Sequence, residues 1–158
     1  MSNKLVVPPN VRQWAQSIGG LIINFGGTEL LTLRWIAKLK GDQFKLKMRK
    51  EGLSDKVTII QKSIPGSQLS EANKAKLLSL LSEVAKNIET RNRIAHNALC
   101  FLQKESTGEF VLSPIDTKKM EINSIAKISG LSIFEIANVS NRIGLINGEL
   151  IAILNDTI

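Results

Sequence analysis

Apolar residues recur at intervals of three or four along the first third of the chain, which is the spacing of one face of an α-helix. This face consists of Val11, Trp14, Ile18, either Leu21 or Ile22, Phe25, Leu30, Leu33, Ile36 and Ala37. Asn10 can cap the helix after the extended leader that Pro8-Pro9 ends. Gly26-Gly27 would bend or break it, and Thr28 would cap any continuation. One kinked helix and two separate helices fit this pattern equally well.

The middle of the chain predicts an irregular segment followed by two helices. Residues 42–50 are rich in basic side chains and show no period, so we expect them to be irregular. A short helix capped by Ser54 should follow and end at Pro65-Gly66. A longer helix should begin at Ser70, because serine is a preferred N-cap and an apolar stripe comes after it. That stripe consists of Leu77, Leu81, Val84 and Ile88.

The pattern changes from helical to β after His96. Residues 99–104 and 109–113 are β-prone, and the Ser-Thr-Gly sequence at 106–108 is typical of a hairpin turn. Helical spacing then returns and continues to the end of the chain. The fold is therefore predicted to be all-α, a bundle of four to six helices with one short β-hairpin-like excursion before the C-terminal helix.

The C-terminal helix has the clearest start in the chain. Ser132 and Glu135 stand three residues apart, as the two members of a capping box do. Gly144 and Gly148 lie four residues apart on one face, and a glycine costs about 1 kcal/mol relative to alanine inside a helix. Two glycines on one face indicate that another helix backbone comes close there. That helix belongs either to the same chain or to a second copy.

The composition predicts a single domain over residues 1–158, with its core at about 11–154, because 43% of the 158 residues are hydrophobic. Trp14, Trp35 and Cys100 lie in apolar surroundings and should belong to the core. The chain has a single cysteine, which excludes an internal disulfide. No apolar run approaches the roughly 20 residues of a membrane span, and no signal-peptide core is visible. We therefore expect a cytoplasmic protein without membrane contact.

Several kinds of chemistry do not fit the residues present. One cysteine and one histidine cannot form a zinc site by themselves. The glycine pairs form neither a phosphate loop nor a dinucleotide-binding fingerprint. We expect no metal and no cofactor.

The positive charge is clustered. The net charge is +7, and the span from Arg34 to Lys62 alone contains nine basic and three acidic residues. Such a cluster is typical of a protein that contacts a phosphate backbone, although a solvated surface that maintains solubility has the same composition. The charge favours a polyanion such as RNA. The candidate RNA-binding residues are Lys38, Lys40, Lys45, Lys47, Arg49 and Lys50.

The long central helix ends in polar residues where its apolar stripe should continue. Beyond Ile88 the stripe reaches Arg91 and Asn92, and one further turn reaches His96. Polar groups there must be hydrogen-bonded, face a cleft or meet a second subunit. Arg93 has a glutamate four residues before it as a natural ion-pair partner, whereas Arg91 does not. A structural alternative also exists, because the helix dipole favours arginine and histidine near a C-terminus.

The string Arg91-Asn92-Arg93-Ile94-Ala95-His96, followed by Asn97, resembles the motif of the HEPN superfamily. In that superfamily an arginine, four to six residues and a histidine stand near the end of a long helix in a helical bundle. The order of predicted elements from about 11 to 154 is similar as well. The resemblance implies a metal-independent endoribonuclease, often a toxin or a phage-defence effector, in which two protomers join their Arg–His pairs.

The resemblance also implies roles for individual residues. His96 would act as general base or acid, Arg91 would stabilise the developing charge on phosphate, and Asn92 would orient the histidine or bind the phosphate. Asn97 and Glu29 are candidate accessory residues, because HEPN-like chains often carry an acidic residue in an early helix facing the motif. Glu29 has a structural alternative as a carboxylate near a helix N-terminus. Since the chain has one histidine, a two-histidine mechanism requires a homodimer.

Two other functions fit the same sequence. A HEPN-like module could bind RNA or a nucleotide, or assist a partner protein, without cleaving RNA. A purely structural bundle could use the Arg–His pair only to cap a helix. As an active enzyme, the protein would have RNA and a second copy of itself as partners, and an antitoxin or a nucleotidyltransferase would be a further candidate partner.

Overall fold

The computed structural model describes residues 3–115 and 130–156, which contain five α-helices and three β-strands. Their order is β1 (Asn3–Leu5), α1 (Val11–Lys40), α2 (Asp42–Met48), α3 (Leu53–Ser63), α4 (Glu71–His96), β2 (Ala98–Lys104), β3 (Phe110–Ile115) and α5 (Ile133–Asn155). The protein is a mostly helical bundle with a hairpin before the last helix. This confirms the fold class that the hydrophobic pattern predicts.

The chain divides into two compact units. The first, here called the strand unit, comprises Met1–Ile22 and Glu89–Asn141. The second, here called the helical unit, comprises Ile23–Ile88 and Arg142–Ile158. Helices α1, α4 and α5 each contribute residues to both units.

Helix α1 is continuous, so the alternative of two separate helices is wrong. Thr28 does not cap a second helix; its side chain is buried and its hydroxyl lies 3.1 Å from the Asn24 carbonyl oxygen and 2.7 Å from Asn147 Oδ1. A Cβ atom at Gly27 would lie 3.1 Å from the Asn147 side chain. The glycine therefore leaves room for a side chain of α5. Tertiary packing of this kind outweighs the low helix propensity of a glycine pair.

Helices α1 and α5 run parallel within the helical unit. A Cβ atom at Gly144 would lie 3.3 Å from the Asn24 side chain, and three residues further along both helices Gly27 lies against Asn147. Asn147 Nδ2 also donates a 2.8 Å hydrogen bond to the Asn24 carbonyl. The close approach at Gly144 is thus made within the chain. At Gly148, the second glycine of that predicted face, no atom of the described residues outside its own helix backbone and chain neighbours lies within 4 Å of a Cβ position.

Two local predictions in the middle of the chain are wrong. Residues 42–48 form helix α2 rather than an irregular segment. This short helix is amphipathic: Met48 is buried, while Lys45 pairs with Asp42 at 2.6 Å on the exposed side. Helix α3 begins at Leu53 with Gly52 at the N-cap position, so Ser54 lies inside the first turn instead of capping it. Leu53 is buried, and this packing favours a start of α3 one residue before Ser54.

The predicted starts of the two later helices are confirmed. Ser70 Oγ accepts the backbone N–H of Asn73 at 3.2 Å at the start of α4. Ser132 and Glu135 form the reciprocal capping box of α5, with hydrogen bonds of 2.6 and 3.2 Å. The predicted stripe of α4 is buried throughout. It consists of Leu77, Leu81, Val84 and Ile88.

The strand unit contains a three-stranded antiparallel sheet in the order β1-β2-β3. Strands β2 and β3 form the predicted hairpin, and Gly108 in its turn has a φ of 70°, a conformation that favours glycine. The extended leader adds β1 to the free edge of β2, which the sequence did not predict. Leu112 and Leu131 exchange two 2.8 Å backbone hydrogen bonds, which attach the segment before α5 to β3.

Both tryptophans are buried, as predicted. Trp14 is 2% exposed and meets the Phe101 ring edge-on, with ring centroids 5.3 Å apart. Trp35 is fully buried in the helical unit. Within the part of the chain that the structure describes, none of the helices combines the length and apolar composition needed to cross a bilayer.

Candidate active site

The last turns of α4 present the motif residues at the end of a helix. Arg91 is half-buried, Ile94 is 3% exposed, and Asn92 and His96 are exposed. The buried face therefore continues through Arg91 and Ile94. His96 faces outward, which differs from its expected place on the apolar stripe and leaves its imidazole accessible.

Arg91 and His96 are in contact. Nη1 of Arg91 lies 3.3 Å from Nε2 of His96 and donates a 2.9 Å hydrogen bond to Oδ1 of Asn92. A guanidinium group has donors only, so Nε2 must be the acceptor in this contact. As a hydrogen bond, this contact requires the tautomer with the ring proton on Nδ1. One arginine nitrogen thus joins the three residues that the motif singles out.

Asn97 holds the end of the helix. Its side-chain Nδ2 donates a 2.9 Å hydrogen bond to the carbonyl of Arg93, four residues earlier. Strand β2 begins at the next residue, Ala98, so the chain turns sharply from helix to sheet. His96 is the last residue of α4 and is positioned by this turn. Asn97 thus hydrogen-bonds to the backbone of the motif, and its accessory role in the site stays a prediction.

Glu29 pairs with a buried lysine. Its Oε1 accepts a 2.9 Å hydrogen bond from Nζ of Lys56, and the side chains of Glu29 and Lys56 are 36% and 1% exposed. Because α1 is continuous, Glu29 lies in the middle of a helix, so the alternative of a carboxylate at a helix N-terminus is wrong. Sequence reasoning counted Lys56 only as part of the basic cluster. Its place three residues after Leu53, on the apolar stripe of α3, is the signal that indicates burial.

The candidate RNA-binding residues all belong to the helical unit. Five of them are exposed, and they are Lys38, Lys40, Lys47, Arg49 and Lys50. The sixth, Lys45, is half-buried and bonded to Asp42, and this hydrogen bond lowers the pKa of the Asp42 carboxyl. Lys38 also lines a groove of about 710 Å³ together with Asn73 and Asp156. Lys45 is thus partly neutralised by Asp42.

Cys100 does not have the properties of a nucleophile. The side chain is half-buried in β2, and burial raises the pKa of its thiol. A raised pKa opposes formation of the reactive thiolate. Among residues 3–115 and 130–156, no three His, Cys, Asp or Glu side chains gather in an arrangement that could hold a metal ion.

The Arg91–Asn92–His96 group combines a proton-transfer group with an anion-binding group. A neutral imidazole can take up a proton, and a guanidinium matches the geometry of phosphate oxygens. The imidazole is accessible to a polymer because His96 is exposed, and the half-buried Arg91 contacts it through Nη1. Comparison of the chain with protein-family models, curated proteins and solved structures gives no significant match.

Proposed function

We propose that this protein is a metal-independent endoribonuclease of the HEPN type that acts as a homodimer with a composite Arg/His site. The observation that carries the proposal is the 3.3 Å contact between Arg91 Nη1 and the exposed His96 Nε2. The contact holds a side chain suited to proton transfer beside a guanidinium suited to binding phosphate oxygens.

The chemistry of RNA cleavage requires the groups that this contact joins. The 2′-oxygen attacks the adjacent phosphorus, a base removes the hydroxyl proton, and an acid protonates the 5′-oxygen that leaves. The products are a 2′,3′-cyclic phosphate and a 5′-hydroxyl. His96 would serve in proton transfer, which is typically worth roughly 10²–10⁴-fold in rate. Arg91 would bind the phosphate oxygens and stabilise the charge that develops on them, and Asn92 would position Arg91.

A second copy of the chain supplies what one protomer lacks. The attacking and leaving oxygens lie on opposite sides of the phosphorus, so base and acid are best provided by two groups. The chain has one histidine in all. A symmetric dimer would bring two Arg91–His96 pairs to one phosphodiester. The proposed active form is therefore a homodimer.

The exposed cations of the helical unit give the proposed enzyme a means of holding RNA. Contacts between lysine or arginine and phosphate release counterions, so RNA affinity should fall steeply as salt rises. A role as a toxin or phage-defence effector is part of the proposal, with an antitoxin or a nucleotidyltransferase as the partner that controls it. The expected location is the cytoplasm, where such an effector would meet its RNA.

The helix-capping alternative has less support than catalysis. Asn97 already satisfies a carbonyl of the last turn of α4 through its side chain. His96 is exposed and contacts a cation, which a capping histidine does not need. A non-catalytic RNA-binding module would use the same residues, and only an activity measurement separates it from the enzyme.

The test is RNA degradation by the wild-type protein and by His96→Ala in the presence of EDTA, on total RNA and on tRNA. We expect EDTA-resistant cleavage with cyclic-phosphate ends that is lost in His96→Ala, while thermal unfolding of the two proteins remains similar. An excess of His96→Ala mixed with wild-type protein should suppress activity further than dilution does, because mixed dimers lack one histidine. Absence of cleavage by the folded wild-type protein on both RNAs would reject the enzyme in favour of the binding module.

A further inference from the structure

Both hydrogens of one arginine nitrogen are engaged in the Arg91–Asn92–His96 group. Nη1 carries two N–H bonds. One points to Oδ1 of Asn92 at 2.9 Å and the other to Nε2 of His96 at 3.3 Å. Nη1 in this arrangement has no further hydrogen to offer a phosphate oxygen.

The acceptor atom of His96 is engaged as well. A neutral imidazole has one nitrogen lone pair available in the ring plane, and here it is on Nε2, which faces Arg91. A general base must lie within hydrogen-bond reach of the proton that it removes. Nε2 cannot accept the hydrogen of Arg91 and that of a 2′-hydroxyl at the same time. The observed contact is therefore incompatible with proton removal by His96 Nε2.

We propose that the Arg91–His96 contact is the resting state of the site, and that a phosphate group opens it by drawing Arg91 away from His96 Nε2. The biological purpose of this release rests on the proposed ribonuclease function, but the contact and its release can be measured without RNA cleavage. In the open state Arg91 binds phosphate oxygens, and Nε2 is free to exchange a proton with the substrate.

Phosphate has the chemistry to displace the imidazole. Hydrogen bonds from a guanidinium to an anionic oxygen are shorter and about twice as strong as those to a neutral acceptor. The guanidinium also matches two phosphate oxygens at once, whereas the imidazole offers a single atom. His96 and Asn92 are exposed, so an anion reaches the group from solvent without opening the fold. Free phosphate and the phosphodiester of a nucleic acid share this chemistry.

The state of His96 can be observed directly, because it is the only histidine in the chain. The full-length protein is prepared with ¹⁵N-labelled histidine, and the two ring nitrogens are followed by NMR in mildly alkaline buffer. Without phosphate we expect the tautomer with the proton on Nδ1 and Nε2 as a bare acceptor. Inorganic phosphate should abolish this preference in a saturable way, while sodium chloride of equal ionic strength should not. A 2′-deoxyoligonucleotide, which cannot be cleaved, should act like phosphate if the site takes phosphodiesters, and its failure to act would restrict the release to free phosphate.

Two variants make the measurement specific. Arg91→Ala should lack the preference for the Nδ1–H tautomer from the start and should not respond to phosphate. Arg93→Ala removes a cation from the same helix turn without touching the contact, and it should respond as the wild-type protein does. Equal behaviour of the two variants would overturn the proposal, because the effect would then come from general positive charge.

The outcomes separate this proposal from the proposed function. A proton on Nε2 in the phosphate-free protein, or a tautomer that saturating phosphate leaves unchanged, would overturn the resting state even if the protein cleaves RNA. The expected tautomer and its release by phosphate would support the resting state even if no RNA is cleaved. In that case the ribonuclease function fails and the group remains as a phosphate-responsive site.

Discussion

Lys56 in the helical unit and Arg91 in the strand unit are both cations on helices, and each contacts a different kind of group. Lys56 is almost fully buried, and its ammonium lies 2.9 Å from the carboxylate of Glu29. Arg91 donates to a neutral amide and to an imidazole that can itself take up a proton. A carboxylate beside a buried ammonium compensates a charge that would otherwise be unpaired in the interior. A contact between an imidazole and a cation contributes little to stability. The Arg91–His96 contact is therefore the better candidate for a catalytic site.

The two contacts also differ in their access to solvent. Lys56 is 1% exposed, so its charge cannot reach a substrate and must be compensated where it is. His96 is exposed at the end of α4, where a change of partner has a small energetic cost. Burial thus fixes the first contact, while exposure allows the second one to change. Substitutions at each contact test whether the first one serves stability and the second one serves catalysis.

The largest effect is expected for Arg91→Lys. Lysine keeps the positive charge but loses the planar group that binds two phosphate oxygens at once. Loss of one such donor to a developing negative charge typically lowers turnover by roughly 10²–10³-fold. Cleavage of tRNA in EDTA should therefore fall by about this factor, while urea denaturation shows little change in the free energy of unfolding.

Arg93→Lys is the matched control, because it makes the same substitution two residues along the same helix. It should leave the cleavage rate within a factor of about three, which corresponds to less than 1 kcal/mol of activation free energy. A similar loss in both variants would mean that the motif does not distinguish its two arginines. Arg91 could then no longer be contrasted with Lys56 as a catalytic rather than a structural residue.

The second effect concerns the stability of the helical unit. Glu29→Gln removes the carboxylate and leaves the buried ammonium of Lys56 uncompensated, which costs roughly 3–5 kcal/mol for a fully buried pair. Because Glu29 is 36% exposed, solvent screens part of this cost, and we expect about 2–3 kcal/mol. Urea denaturation at neutral pH measures the difference.

A double variant separates charge from packing. Lys56→Met in the Glu29→Gln background removes the buried charge and should restore most of the lost stability, since an apolar side chain of similar length suits the buried site. No recovery would show that the side chain of Glu29 has a separate stabilising role. The comparison with Arg91–His96 would then be weaker, because the Lys56–Glu29 contact would no longer be a simple ion pair.

Periodicity and caps predicted most of the fold. The capping box at Ser132 and Glu135, the cap at Ser70 and the hairpin turn at Gly108 are local signals, and the structure contains all three. The failures have tertiary causes. Packing of Asn147 against Gly27 keeps α1 continuous, and burial of Met48 turns a basic segment into a helix. A sequence window does not contain the distant residue or the buried surface that decides such cases.

The sequence indicated which residues to examine as a candidate site but not which contacts they make. The motif singles out Arg91, Asn92 and His96, and the structure brings their side chains together. Sequence spacing placed His96 on the buried stripe, whereas the helix ends at that residue and the imidazole faces outward. Lys56 was also not predicted from the sequence as the partner of Glu29. A charge count treats Lys56 as a surface cation, and only its position on the apolar stripe of α3 indicates otherwise.

The smallest effect is expected for Glu135, a charged residue of the strand unit whose hydrogen bonds are those of a helix cap. The N–H of Ser132 donates a 2.6 Å hydrogen bond to its carboxylate, and this bond, with a further one to the Ser132 side chain, lowers the pKa of Glu135. A carboxyl whose pKa is lowered by folding stabilises the protein above its unfolded pKa, and this stabilisation is lost as the pH falls through the folded pKa.

Glutamine can keep the capping hydrogen bond but not the charge, so Glu135→Gln should reduce the free energy of unfolding by about 0.3–1 kcal/mol at neutral pH and flatten the acid side of the stability profile. Urea denaturation across the acid range measures both effects, and RNA cleavage at neutral pH should stay at the wild-type rate. Glu135 belongs to the same unit as Arg91 and His96, so its substitution is a control for the stability of that unit. If cleavage falls as far in Glu135→Gln as in Arg91→Lys, the activity depends on the general stability of the strand unit. A specific role of the Arg91–His96 contact in catalysis would then be rejected.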